Sequence, residues 1–452
     1  MITNLCKEVL DFTISNYLTY REICVFAETC KYLHIVTINS VPQLIDSYWL
    51  NKNINTPLTS KIKRLNNAHT LDIYDFNNCN ISNFNNYGMM NYCMINHHSV
   101  FSHLKNLHTL SIISESAQII TDRAFSHLSN LHILNIELSV FAKITDNGFS
   151  HLSNLHTLNI IDCCFYEITD LAFSYLSNLH ILNISKSYLP KITPFAFSYL
   201  TKLHKLDMSD CEEKQLTDKI FSYLPNLHTL DICDCSYDFI NDNSFVNMYN
   251  LHTLNMQQYN SELSSEREFS DIVFSHLNNL RVLNMAQCDH DKITDLAFSY
   301  LGNLEYLDMR RCFQSTITDI AFSYLVNLHT LDISYCSQKT ITDHAFSYFG
   351  NLSSLTIDYC DQMTITDLAF SNLYNLAYLS MNGCNQPTIT DFAFSYLGNL
   401  EHLKMCGCNQ TTITDLAFSY LVNLSTIDMT NCNLETITDE AFSYMTHVDI
   451  TY

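Results

Sequence analysis

The sequence predicts an α/β solenoid, in which each coil adds a short strand to a parallel concave sheet and a short helix to the convex side, with a small all-α domain ahead of it. Three observations carry this. A phenylalanine in an Ala-Phe-Ser-Tyr-Leu-like run recurs at 101, 125, 149, 173, 197, 221, 245, 274, 298, 322, 346, 370, 394, 418 and 442, every step being 24 residues except one of 29. Such a period marks a supersecondary unit that cannot bury its apolar face alone and stacks on copies of itself. Within one unit, residues 317–336, Leu331 and Ile333 alternate with polar residues as a strand does, while Ala321, Phe322 and Leu325 share one helical face. Residues 1–98 do not obey the period. The charge shifts with it: up to residue 64 seven Lys or Arg face five Asp or Glu, a net of +2, leaving −25 for the rest of a chain whose total is −23.

Residues 1–50 are the helical domain. Leu5, Val9, Leu10, Ile14, Leu18, Ile23, Phe26 and Leu33 recur at helical spacing, and Trp49, the only tryptophan, closes the segment. Residues 51–98 are a degenerate first repeat with a linking loop. The run 68–73 repeats the later strand motif, but Leu71 to Leu110 is 39 residues, so an Asn-rich loop over 77–92 bulges from the first coil. Residues 99–452 are the solenoid. Its last unit, 445–452, stops after the strand, leaving an edge at which partner binding or self-association is expected.

Within the repeat, thirteen acids sit three residues before the phenylalanine, Asp295, Asp319 and Asp343 among them. There a carboxylate is expected to cap the helical turn and face the positive end of its dipole. Their number, thirteen, is over half of the net charge of −23. Ten of eighteen cysteines (163, 211, 235, 288, 312, 336, 360, 384, 408 and 432) share one repeat position, where a thiol is expected to be a buried small hydrophobe with a weak S–H donor. Strands about 4.8 Å apart hold Cβ atoms beyond the ~3.8 Å a disulfide prefers, so reduced thiols are expected. Histidines 108, 132, 156, 180, 204, 228 and 252 form a row of seven at repeat spacing, with an eighth at 329. They are expected to form a stacked, partly exposed column; the sharper alternatives are metal chelation or charging near pH ~6. Asn130, Asn154, Asn303 and Asn327 are expected to hydrogen-bond between turns.

Several function classes are disfavoured. With only 7 glycines there is no phosphate-cradling loop, and no nucleophile elbow or triad appears, so no enzyme, cofactor or metal site is expected. No basic stripe suits nucleic acid. No apolar run of about 18 residues suits a membrane, and Glu8 and Asp11 interrupt what would be a signal core, so an intracellular protein is expected, in cytoplasm or nucleus.

Leu328, Leu331, Ile333 and Cys336 match LxxLxLxxC, and the repeats resemble cysteine-type leucine-rich repeats. In residues 5–33, Leu5, Glu8, Val9, Leu10, Tyr17, Leu18, Glu22, Ile23, Cys30, Lys31 and Tyr32 resemble an F-box, with Cys6 where that pattern has proline. Together the two segments resemble the F-box leucine-rich-repeat adaptors of cullin-RING ubiquitin ligases, and the Asn-, Ile- and Tyr-rich copies resemble repeat families of amoebae and giant DNA viruses. The resemblance implies that Leu5, Val9, Leu10, Leu18 and Ile23 bind a Skp-type adaptor in a cullin complex, and that the repeats present a target protein for ubiquitin transfer. The alternative is a non-enzymatic interaction scaffold whose N-terminus only caps the first coil.

Most outward strand positions are Thr, Asn, Asp or Ser. Four late repeats diverge from this row, and their Tyr306, Asp308, Arg310, Asp358, Tyr378, Asn382, His402 and Lys404 are the candidate target-binding residues. Aromatic and Arg side chains anchor interfaces most often. The five-residue insertion around 257–269, with Glu262, Glu266 and Glu268, is a second candidate.

Overall fold

The computed structural model describes residues 69–74, 104–113, 121–137, 143–211, 217–235, 241–258, 270–288, 290–432, 435–443, 445 and 447–451. The F-box-like segment with Leu5, Val9, Leu10, Leu18 and Ile23, the loop over 77–92, and Glu262, Glu266 and Glu268 lie outside the described residues. The chain divides into two units, Met1–Lys202 and Leu203–Tyr452, a division that the 24-residue period does not announce.

In the first unit the described strands Thr70–Tyr74, Thr109–Ile113, Ile133–Glu137, Thr157–Ile161 and Ile181–Asn183 pair in parallel and in chain order. Leu71 faces Leu110, so the strand motif at 68–73 is the first rung. In the second unit eleven described strands, from Lys205–Asp207 to Asp449–Thr451, follow the same rule. Their register advances by whole repeats: Tyr306, Leu307 and Asp308 face Thr330, Leu331 and Asp332. Parallel neighbours need a crossover, and most of the described coils supply one through a helical turn such as Asp319–Phe322. Ile317, Ala321, Phe322, Leu325, Leu328, Leu331, Ile333 and Cys336 are all buried, as the two periodicities require. Each large apolar side chain so placed contributes about 1.5–3 kcal/mol.

The acid column does something other than cap its own helix. Thr318, in extended conformation, is the cap, its hydroxyl accepting the Ile320 N–H at 3.2 Å. Asp319, one position later, accepts the backbone N–H and the hydroxyl of Thr342 on the next coil, both at 2.7 Å. The same pair of bonds joins Asp295 to Thr318 and Asp343 to Thr366. A threonine thus satisfies its own helix while an aspartate clips it to the preceding coil, because the 24-residue register brings each cap over the first turn of the repeat before it.

Two other columns behave as expected. Asn130, Asn154, Asn303 and Asn327 each donate Nδ2 to a carbonyl 25 residues earlier, at 2.8 to 2.9 Å. The cysteine sulfurs donate across coils too: Cys336 to Met309 O at 3.2 Å, Cys360 to Ile333 O at 3.1 Å and Cys384 to Ile357 O at 3.0 Å. Burial pushes the Cys336 and Cys384 thiols up to about 12.

Candidate interaction surface

In the second unit the strands Tyr306–Asp308, Thr330–Asp332, Ser354–Thr356, Tyr378–Ser380 and His402–Lys404 lie side by side. Their central Leu307, Leu331, Leu355, Leu379 and Leu403 are buried, so alternation turns the flanking side chains to the concave side. Four steps of about 4.8 Å make this face roughly 19 Å wide.

The candidate residues on it divide into accessible and committed groups. Tyr306, Tyr378 and His402 are half-buried and Lys404 is exposed. The Lys404 ammonium stands 5.9 Å from the Tyr378 ring centroid, and His402 Nδ1 lies 2.8 Å from the Thr426 hydroxyl. Asp308, expected to project outward as an accessible group, is only 1% exposed. Arg310 covers it: Nη2 donates to Oδ2 at 2.7 Å and Nε reaches both carboxylate oxygens at 3.0 Å, with Asp332 Oδ2 3.4 Å away. The hydrogen bond to Asp308 holds Arg310 firmly protonated, while burial pushes the Asp332 carboxyl up. Arg310 therefore neutralises a buried acid before it can serve a partner. Ser334, which strand alternation alone would turn outward, is buried and donates to Asp332 Oδ1 at 2.6 Å.

Asp358 and Asn382 belong to a polar knot. Asp358 accepts the Ser380 hydroxyl at 2.6 Å and the Asn382 backbone and side-chain N–H groups at 2.8 and 3.0 Å. Asn382 Oδ1 in turn accepts the Cys406 N–H at 2.8 Å. The knot fixes the strand ends and leaves the Asp358 charge without a cation among the described residues.

One feature beside this face was missed in the sequence. The residue before each column cysteine adopts a left-handed backbone, with φ of 55° at Arg311, 57° at Tyr335 and 54° at Tyr359, then 63° at Gly383 and 67° at Gly407. The Arg311 guanidinium lies 4.7 Å from the Tyr335 ring centroid, and the Tyr335 and Tyr359 rings stack at 4.7 Å and 15°. The 24-residue spacing of 311, 335 and 359 was visible; that their shared backbone conformation aligns the side chains was not.

The histidine column is a stack. In the first unit His108, His132, His156 and His180 follow one another at 5.1 Å between centroids, and in the second His228 and His252 stack at 5.2 Å. Nδ1 of His132, His156 and His228 lies 2.7 to 2.8 Å from the carbonyl oxygen two residues earlier, which requires the proton on Nδ1. Parallel rings at this spacing keep Nε2 lone pairs farther apart than the ~4.2 Å that two metal bonds of about 2.1 Å span, so neighbours do not chelate one ion in this arrangement. A second polar column is buried: Gln338, Gln362 and Gln410 make no side-chain hydrogen bond to protein at either amide atom.

An open parallel sheet with one strand per unit and an LxxLxL skeleton defines a leucine-rich-repeat solenoid protein. Residues 94–228, 167–305, 264–363 and 315–449 match the BspA type leucine rich repeat region, and the chain belongs to that family. A comparison with curated protein sequences found no match. Similar solved structures include that of the TLR13–ssRNA13 complex, at 18% identity and TM-score 0.57, covering 86% of this chain and 62% of that one. The Toll–Spatzle complex of Drosophila matches at 18% and 0.62, covering 87% and 50%. A leucine-rich-repeat protein of Leptospira interrogans matches at 17% and 0.61, covering 87% and 92%. The chain thus spans less than two thirds of the first two, and at these identities the likeness shows the fold alone. Among the described residues no helix is long and apolar enough to cross a membrane.

Proposed function

We propose that the chain is a non-catalytic recognition protein, binding a protein target on the concave face of its second unit through Tyr306, Tyr378, His402 and Lys404. The observation that supports this is the clustering of two tyrosines, a histidine and a lysine at outward positions of neighbouring strands, in a row whose other members are mostly small polar residues, while the buried positions beneath them stay apolar. Of the solved neighbours described above, one is a complex of Toll with Spatzle and one a complex of TLR13 with ssRNA13. A net charge of −23 favours a protein over an RNA partner here.

The finer proposal is that residues 1–50 act as an F-box-like head, joining a Skp-type adaptor and a cullin complex so that the target is ubiquitinated inside the cell. Its support is the match at Leu5, Val9, Leu10, Leu18 and Ile23. The scaffold alternative, with the head as a cap, draws on the family match, which begins only at residue 94. Affinity capture from the native cell separates the two. Recovery of Skp and cullin by the full chain, lost in a Leu10→Ala, Leu18→Ala, Ile23→Ala variant that keeps its target, supports the adaptor. Target capture without Skp from the wild type overturns it.

A further inference from the structure

The helical turns behind the sheet of the second unit carry an exposed apolar row. At the position after each clip aspartate, Ile272, Leu296, Ile320, Leu368, Phe392 and Leu416 are between 53% and 62% exposed. Exposed apolar side chains scattered singly are ordinary; these occupy one column. The clips continue from Asp271 to Thr294, Asp367 to Thr390 and Asp391 to Thr414, so neighbouring members stand on adjoining coils. Beneath the row the buried Phe394, Phe418 and Phe442 rings follow one another at 6.4 and 4.9 Å, close to the spacing of the strands. The row therefore runs nearly straight for roughly 33 Å, in six steps of about 5.5 Å.

The order along the row is palindromic. His344 holds the middle position with three apolar residues on either side, and the row is closed by Asn243 before it and Glu440 after it, all three exposed. The His344 Nε2 lies 3.0 Å from the Tyr348 hydroxyl and Nδ1 3.5 Å from the Ser347 hydroxyl, so the ring can lose water without stranding a polar atom. A patch meets its own copy across a twofold axis, which sets each residue on its mirror position, and palindromic order suits that contact. A foreign helix or a lipid surface asks for no such order. At about 100 Å² each, the six apolar side chains present roughly 600 Å², as much as the largest patch of a typical monomer and most of the ~800 Å² per partner of a standard interface. Tyr324 and Tyr396, four residues after Ile320 and Phe392, flank the row and add to it.

We propose that this row is the contact between two copies of the chain, related by a twofold axis through His344. Ile320 then lies against Leu368 of the second copy, Leu296 against its Phe392 and Ile272 against its Leu416. The contact is separate from the concave face, so the dimer presents two recognition faces and is bivalent for its target.

Sedimentation velocity of the full chain, from about 0.1 to 100 μM, tests this. The wild type should dimerise with a Kd of about 0.1–10 μM. Leu296→Lys and Phe392→Glu each set a charge against an apolar residue at both mirror contacts, and each should weaken the dimer at least about 100-fold. An equimolar mixture of the two variants should recover association to within about ten-fold of the wild type, because the mixed dimer opposes the two new charges at one contact and keeps the native pair at the other. Leu171→Lys, at the same repeat position but outside the row, should leave the dimer unchanged. Circular dichroism checks that these exposed substitutions fold. A wild type that stays monomeric to about 100 μM, a dimer that survives both Leu296→Lys and Phe392→Glu, or a mixture no tighter than its components each overturns the proposal. Target capture by the concave face is judged apart from these results, on its own footprint.

Discussion

Replacing Asp319 with Ala distinguishes a clip between coils from a cap within one. As a first-turn acid acting on its own helix dipole, Asp319 contributes about 0.3–1 kcal/mol. The structure gives it two hydrogen bonds from Thr342 on the following coil, at 2.7 Å each. Bonds to charged groups contribute about 1.5–3 kcal/mol each, and with both residues half-exposed the lower end applies, so the pair loses about 2–3 kcal/mol on substitution. In a repeat array that loss falls mainly on one interface. Urea unfolding should shift accordingly, and the Thr342 amide, whose proton points at Asp319 Oδ1, should exchange about 30- to 150-fold faster. Thr342→Ala also removes the cap hydroxyl that accepts the His344 N–H, a cost that cancels in a double-mutant cycle. The cycle should show a coupling of at least about 1 kcal/mol between the two sites, with Thr342→Ser restoring most of it. A cost under about 1 kcal/mol for Asp319→Ala, additive with Thr342→Ala, would refute the clip and return the acid to a dipole role.

Other perturbations follow from the same coils. Arg310→Ala should destabilise the second unit by about 2 kcal/mol, below the ~3–5 of a fully buried pair because Arg310 is 42% exposed, while Lys404→Ala stays within about 0.5 kcal/mol; equal effects by thermal unfolding would contradict the account of Asp308. Gln362→Leu should be neutral or stabilise by about 1 kcal/mol, since Phe165 and Leu189 fill the same repeat position in the first unit, and a loss of 1 kcal/mol or more in urea would show that the amides bond to one another. Alkali should weaken the fold: thiols raised from 9.0 to about 12 stay protonated in the folded chain while the unfolded chain ionises, so stability is full below the unfolded value and falls as pH rises towards the folded one. Each should lose about 1.4 kcal/mol near pH 10, and a Cys336→Ala, Cys384→Ala variant should show a shallower decline between about pH 9 and 11; an unchanged slope would contradict thiol burial as its cause.

Much of the solenoid was legible because its signals are periodic and local. Leu331 and Ile333 alternate, Phe322 and Leu325 share a helical face, and the register of 24 follows from spacing alone. What was not legible depends on side chains meeting across coils. Asp319 looked like a cap, since a carboxylate beside a helix start reads the same whether it serves its own turn or the next one. Asp308 looked accessible because alternation gives the side of the sheet and not what lies over it; Arg310, two residues on, folds back across it. The Tyr335–Tyr359 stack was hidden for a third reason. Its alignment comes from a left-handed backbone at a position where β-strand rules no longer apply, and neither residue type announces that conformation.

Hydrogen exchange of the full chain, compared with and without its captured target, tests the recognition surface most directly. The account predicts slowed exchange in the peptides spanning 306–310, 378–383 and 402–404, with the convex turns such as 319–322 unchanged. Protection confined to the convex turns or to 257–269, with the strands from 306 to 404 exchanging as in the free chain, would contradict it.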